Sequence, residues 1–200
     1  MWQHPFPKKT ITDKFGDTEP PRTSPHRGTD YAPGAKKLIP AVTAGVVSKI
    51  DFSNILGWFM EFKTDEHGLY VGHAHLYCNK HDSINCDGSG HEDGSTCMSR
   101  LKVGDRLEMG DWVGRVGNSG ASRGAHLHIT ISKKPDMRFS KPFDIEKFID
   151  QKIAKQEKKK TKLPKIVKTK TTNPKPEVKP EVNHGSLGQK FGRFWHLWKK

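Results

Sequence analysis

Residues able to do chemistry together cluster at three places in the 200-residue chain. His26 and Asp30 stand four apart, His73-Ala74-His75 and His126-Leu127-His128 are two His-x-His triplets, and a glycine-rich run, Gly117 to Gly124, precedes the second. Side chains at i and i+2 of a strand share a face. If Ala125 to Ile131 is a strand, His126 and His128 project together while Leu127, Ile129 and Ile131 point the other way. Two imidazoles on one face are costly to bury without partners, which points to a metal site or a proton-transfer site. The glycine run by itself could also cradle a phosphate.

The elements that must position these groups are short and mostly extended. Pro25, Gly28 and Pro33-Gly34 make the His26 to Asp30 segment a loop entering a strand, although the spacing alone would also suit one face of a helix. Ile11 to Phe15 suggests a short strand. Residues 38–50 are rich in β-branched types and predict a strand pair bending at Gly45. Trp58 to Lys63 and Leu69 to Leu76 predict a hairpin turning at Thr64 to Gly68. Val103 to Arg106 is a turn, and Trp112 to Val116 another short strand. Glycine turns at this frequency indicate a mostly antiparallel β domain. Pro142 and the apolar positions 145, 148, 149 and 153 predict a helix over 141–156.

Charge divides the chain. Residues 151–200 hold 15 Lys/Arg and 3 Asp/Glu, a net of +12 within a total of +13, so residues 1–150 are almost neutral. Residues 157–183 form a Lys/Pro-rich linker with polyproline II character, and residues 184–200 an aromatic, basic C-terminal segment. No stretch is apolar for 18 residues, so no transmembrane helix is expected.

In order, His26-x-x-x-Asp30, His75-Leu76, Val103-Gly104-Asp105, Gly117-Asn118-Ser119-Gly120 and His126-Leu127-His128 resemble the lysostaphin-type zinc metalloendopeptidases (M23-like) that cut peptidoglycan peptides. The resemblance spans about residues 9–135 and implies a mostly β (α+β) fold. That fold is an antiparallel lysostaphin-type peptidase domain over 1–140, with a C-terminal helix and a disordered basic tail. It makes His26, Asp30 and His128 the zinc ligands, and His75 and His126 the catalytic pair. The family often has an aromatic residue where His73 stands, which leaves His73 a rival to His75. Two imidazoles and a carboxylate leave a position open on zinc, as catalysis requires, and zinc lowers the pKa of its water to about 7. The glycine run then becomes the rim of a peptide cleft. The other histidines, His4, His67 and His73 among them, are expected to be solvated.

Residues 77–100 form an insertion longer than the family usually carries. Cys78, Cys86 and Cys97, with His81 or His91, could make a second, structural zinc site; a disulfide or free thiols are the alternatives. The tail is expected to anchor to anionic envelope polymers or lipids, with nucleic acid the rejected rival. The N-terminus shows no apolar core of a secretory signal. The expected setting is therefore host cytoplasm until release to the cell wall, or a virion: an endolysin or virion-associated lysin acting on bacterial peptidoglycan in phage lysis. A catalytically inactive member acting as a wall-binding or virion structural module is the alternative.

Overall fold

A computed structural model describes residues 1–20, 22–77 and 101–162. Most of the strands join one antiparallel sheet. Its strands are β1 (Ile11–Asp13), β2 (Thr29–Tyr31), β4 (Gly45–Ser53), β5 (Gly57–Thr64), β6 (Tyr70–Leu76), β7 (Arg106–Leu107), β9 (Leu127–Ser132) and β10 (Pro142–Phe143). The order is β1-β2-β9-β6-β5-β4-β7, and β10 pairs with β9 beyond the end of β2. A second ribbon pairs β3 (Leu38–Pro40) with β8 (Trp112–Arg115). The expected bend at Gly45 therefore separates two strands that belong to different sheets.

The central strands β5, β6 and β9 are buried on both faces. One face carries Met60, Phe62, Val71, Leu127, Ile129 and Ile131, which join Ile39, Val113, Val116, Trp2, Ile145 and Ile149 in the main core. The buried apolar cluster on the opposite face is small, Phe59 and Ala74 with Met137 over them and Leu56 beside them. The alternation of each strand thus sends one set of residues to a large core and the other to a thinly covered surface.

The helix α1 (Ile145–Lys162) starts later and runs further than the 141–156 expected from the sequence, continuing through Lys158 to Lys160. The Asp144 carboxylate accepts the Lys147 N–H at 2.9 Å, a side-chain N-cap. Trp2 packs edge-on against Phe148 (4.9 Å between centroids) and Phe143 meets Phe148 at 5.6 Å, so the helix belongs to the same compact unit as the sheet. Among the described residues no helix is long and apolar enough to cross a membrane. The insertion residues Cys78, His81, Cys86, His91 and Cys97, and the linker and tail beyond residue 162, lie outside the described residues.

Candidate active site

The thinly covered face holds the site. Register fixes two ligand positions, because Asp30 of β2 and Ala74 of β6 are the partners of His128 on either side of β9. Asp51 of β4 is the partner of Phe59 of β5. One row therefore runs from Asp30 through His128 to Ala74, and Phe59, the partner of Asp51, packs beside Ala74 where the register between β5 and β6 shifts. His26 joins from the loop before β2.

The donor atoms converge. His128 Nδ1 lies 2.8 Å from Asp30 Oδ1 and 3.0 Å from His26 Nε2, and His26 Nε2 lies 3.3 Å from Asp30 Oδ1. All three residues are buried, and they are the potential metal-holding group found among the described residues. A tetrahedral zinc with bonds of about 2.0–2.2 Å requires donors about 3.2–3.6 Å apart, so these atoms need to spread by less than about 1 Å. Second contacts prepare them. The Lys14 carbonyl can only accept, so His26 Nδ1, 3.0 Å away, carries the proton and Nε2 is left as a lone pair facing the other donors. Burial works against ionising Asp30, but the hydrogen bond from His128 and the pull of the neighbouring imidazoles outweigh it and hold the carboxyl well below its usual range. Burial pushes the His128 imidazole down, against the pull of Asp30, and so favours the neutral ring that binds metal. Arg22 pairs with Asp13 and comes within 3.9 Å of Asp30 Oδ2. Gly28 leaves the room this needs: a Cβ there would lie 2.6 Å from His128 Cε1 and 2.7 Å from its Nε2.

The other two histidines stand beside this group. The ring of His75 is 4.6 Å from that of His126 and 6.0 Å from that of His128, and His126 Nε2 lies 3.6 Å from Asp30 Oδ2. The loop 117–124 orients both. His75 Nδ1 donates to the Ser119 carbonyl at 2.9 Å, and His126 Nδ1 to the Gly124 carbonyl at 2.8 Å, with Ser122 Oγ at 3.2 Å. Since carbonyls accept only, each neutral ring keeps Nε2 free. Burial first, and then the neighbouring His126, push the His75 imidazole down to about 4.

His75 reaches this face through a bulge. Trp58 pairs with Leu76 while Met60 pairs with His73, so β6 carries one extra residue there. His75 itself has φ +57°, in the left-handed region that few non-glycine residues occupy. Its N–H donates to the Leu56 carbonyl at 2.8 Å. Without the bulge, alternation would place His75 beside His73 in the core. The loop reinforces it: Ser119 Oγ donates to the Leu76 carbonyl (2.8 Å) and accepts the Trp58 N–H (3.0 Å). Gly120, at φ +74°, packs so near Gly57 that a Cβ would lie 2.1 Å from the Gly57 nitrogen.

The structure thus brings together His26, Asp30, His75, His126 and His128, and separates His73 from them. His73 corrects the expectation of a solvated side chain. It is fully buried, stacked on Phe62 at 5.8 Å, and neither ring nitrogen has a partner among the described residues. Burial pushes its imidazole down to about 3. His4 is also largely buried, facing the Tyr31 hydroxyl (3.2 Å) and Asp150 (2.9 Å). His67 is exposed. Sequence reasoning missed Ser119 and Ser122 as orienting groups and Gly28 as clearance for a ligand. Only Gly28 carried a usable signal, since it lies between the two residues of the His-x-x-x-Asp motif.

No family model matches the chain. Over 103 residues, 52% of its length, it is 27% identical to the peptidoglycan DD-endopeptidase ShyC of Vibrio cholerae, and it spans 19% of that relative. The solved structure of LytU matches with a TM-score of 0.56 and 27% identity, over 76% of this chain and 91% of that one. The catalytic domain of EnpA, a prophage-encoded M23 protein from Enterococcus faecalis, matches with a TM-score of 0.53 and 25% identity, over 70% of this chain and 91% of that one. The catalytic domain of lysostaphin from Staphylococcus simulans shares the fold at a TM-score of 0.53 and 17% identity, over 69% of this chain and 89% of that one. The mostly antiparallel sheet closed by one C-terminal helix is the fold of the lysostaphin-type, or M23, metallopeptidases.

Proposed function

We propose that the protein is a zinc-dependent endopeptidase that hydrolyses peptide cross-links of bacterial peptidoglycan. The convergence of His26 Nε2, Asp30 Oδ1 and His128 Nδ1, with His75 and His126 beside them, carries this reading. The likeness to a peptidoglycan DD-endopeptidase supports the substrate class. Zinc held by those three residues supplies a water acidified to about pKa 7 and a Lewis acid for the scissile carbonyl. The chain's own residues do the rest. Asp30 and His128 are fixed by strand register, and His26 by Lys14, so the ligand set is preorganised. His75 and His126 each keep Nδ1 occupied and Nε2 free, so either can take a proton from the attacking water and return it to the leaving amine. In their protonated form they donate to the oxygen that gains charge.

The test is digestion of purified sacculi, with chelator, zinc add-back, and His128→Ala and Asp30→Ala variants. Release of soluble peptides by the wild type, lost with chelator, restored by zinc and absent from both variants, is expected. Activity in both variants, or none from the wild type on any wall chemotype, would sink the reading.

For the biological setting we favour phage-mediated lysis, supported by the likeness to a prophage-encoded M23 protein. Expression in a susceptible host should leave cells intact until a holin is co-expressed. The basic segment beyond residue 162 is assigned to anionic envelope polymers or lipids. Removing residues 163–200 should weaken retention on sacculi and flatten its salt dependence; unchanged retention would refute the assignment.

A further inference from the structure

The far end of the sheet carries a pocket that the site does not use. It has a volume of about 720 Å³ and is lined by His67, Gly68, Leu69, Lys133, Phe143 and Phe148. His67 and Gly68 belong to the turn between β5 and β6, and Leu69 leads into β6. Lys133 follows β9, Phe143 lies in β10 and Phe148 in α1. Lys133 comes five residues after His128, about 16 Å along an extended strand, so the pocket is remote from the metal-holding group. Leu69, Phe143 and Phe148 belong to the main core or pack against it, on the other face of the sheet from His128.

The floor is apolar and the rim is cationic. The Phe148 ring is already engaged, with the Lys152 ammonium over it at 5.3 Å, Trp2 edge-on at 4.9 Å and Phe143 at 5.6 Å. It therefore offers no platform on which a base or a sugar ring could stack, and what is left is a slot for a saturated chain. The neighbouring carboxylate, Glu66, is spent: its oxygens accept from the Trp2 indole N–H at 2.7 Å and from Lys152. Lys152 also donates to His67, and since an ammonium has no lone pair, Nε2 of the neutral ring accepts. His67 Nδ1 then carries the proton and has no partner among the described residues, and neither has the Lys133 ammonium. Register sets Lys141 across from Lys133, because Pro142 pairs with Ser132, and Lys133, Lys134 and Lys141 are all exposed. An apolar slot bordered by unpaired donors fits an anion carried on an apolar chain.

We propose that this pocket binds an anionic phospholipid. Its fatty chain lies against Leu69, Phe143 and Phe148, and its phosphate is held by the Lys133 ammonium and the His67 Nδ1–H. Lys134 and Lys141 extend the positive rim toward the neighbouring headgroups of a bilayer surface. The site lies within the folded unit, is separate from the segment beyond residue 162, and does not depend on the peptidase reading.

The test uses the full chain with isotope-labelled leucine methyl groups. Dihexanoyl phosphatidylglycerol, kept below its micellar concentration, is titrated while the Leu69 methyl signals are followed by NMR. A saturable shift is expected, with Kd about tenfold higher for dihexanoyl phosphatidylcholine, which has the same chains and no net charge. Lys133→Gln should raise Kd for phosphatidylglycerol about fivefold, the contribution of one lysine at an anionic lipid surface, and Lys133→Glu should raise it further. Lys102→Gln, at an exposed lysine outside the pocket, should leave it unchanged. The absence of a saturable shift, an unchanged Kd in Lys133→Glu, equal Kd for the two lipids, or an equal loss in Lys102→Gln would overturn the proposal. Glycerol phosphate binding as tightly as the lipid would make this a site for free phosphate or a phosphate-bearing polymer, and would overturn the lipid assignment.

Discussion

The two His-x-His triplets have the same spacing and opposite fates. His126 and His128 enter a regular strand, and both imidazoles face the site, as alternation requires. His73 and His75 are split by a bulge: His73 goes to the core against Phe62, and His75 goes to the site beside His126. Residue spacing fixes a shared face only while the ladder stays in register, and one extra residue reverses it.

The largest expected effect breaks the functional half of this comparison. His75→Ala and His126→Ala should each lower kcat by about 10²- to 10⁴-fold, the usual contribution of a positioned acid or base, while zinc content by elemental analysis stays at one ion per chain. If His73→Ala lost as much turnover at equal folded fraction, the assignment of His75 over His73 would be wrong. Next, Gly120→Ala attacks the loop that holds the bulge. Its φ of +74° and the 2.1 Å approach to Gly57 leave no space for a methyl group. A loss of about 1–3 kcal/mol in denaturant unfolding is expected for strain of this kind, with a fall in kcat because both carbonyls orienting the histidines move.

A gentler change sharpens the other half. His73 is neutral in the folded chain and pushed down to about 3, against 6.5 when unfolded. The unfolded state therefore takes up a proton that the folded state refuses. Stability is full above about pH 6.5 and is lost as pH falls toward 3. Between pH 7 and pH 5 this one group should cost about 2 kcal/mol. His73→Phe should remove that share of the slope and leave stability at pH 7 within about 1.5 kcal/mol. An unchanged slope in urea titrations at the two pH values would show that His73 does not carry it.

Much of this was legible in the sequence. The strands over 57–64, 70–76 and 127–132 follow from β-branched and aromatic runs broken by glycine turns, and the five site residues from motifs occurring in family order. The bulge was not legible, because nothing in His73-Ala74-His75-Leu76 announces a left-handed residue; the Leu56 carbonyl and Ser119, from distant segments, impose it. The burial of His4 and His73 escaped for a related reason. A histidine is polar on average, and only the packed neighbours, Phe62 for one and Tyr31 with Asp150 for the other, show that it is enclosed. The α1 end was misplaced because a lysine run has good helix propensity and is not by itself a stop.

The loop from Gly117 to Gly124 holds both His75 and His126 by its own backbone oxygens, Ser119 for the first and Gly124 for the second. The pair is thus mounted on a single bracket. A variant that shifts the bracket shifts both nitrogens in concert, so laboratory evolution acting there would retune reach and proton affinity together, and independent adjustment of one imidazole has to come from the strands beneath.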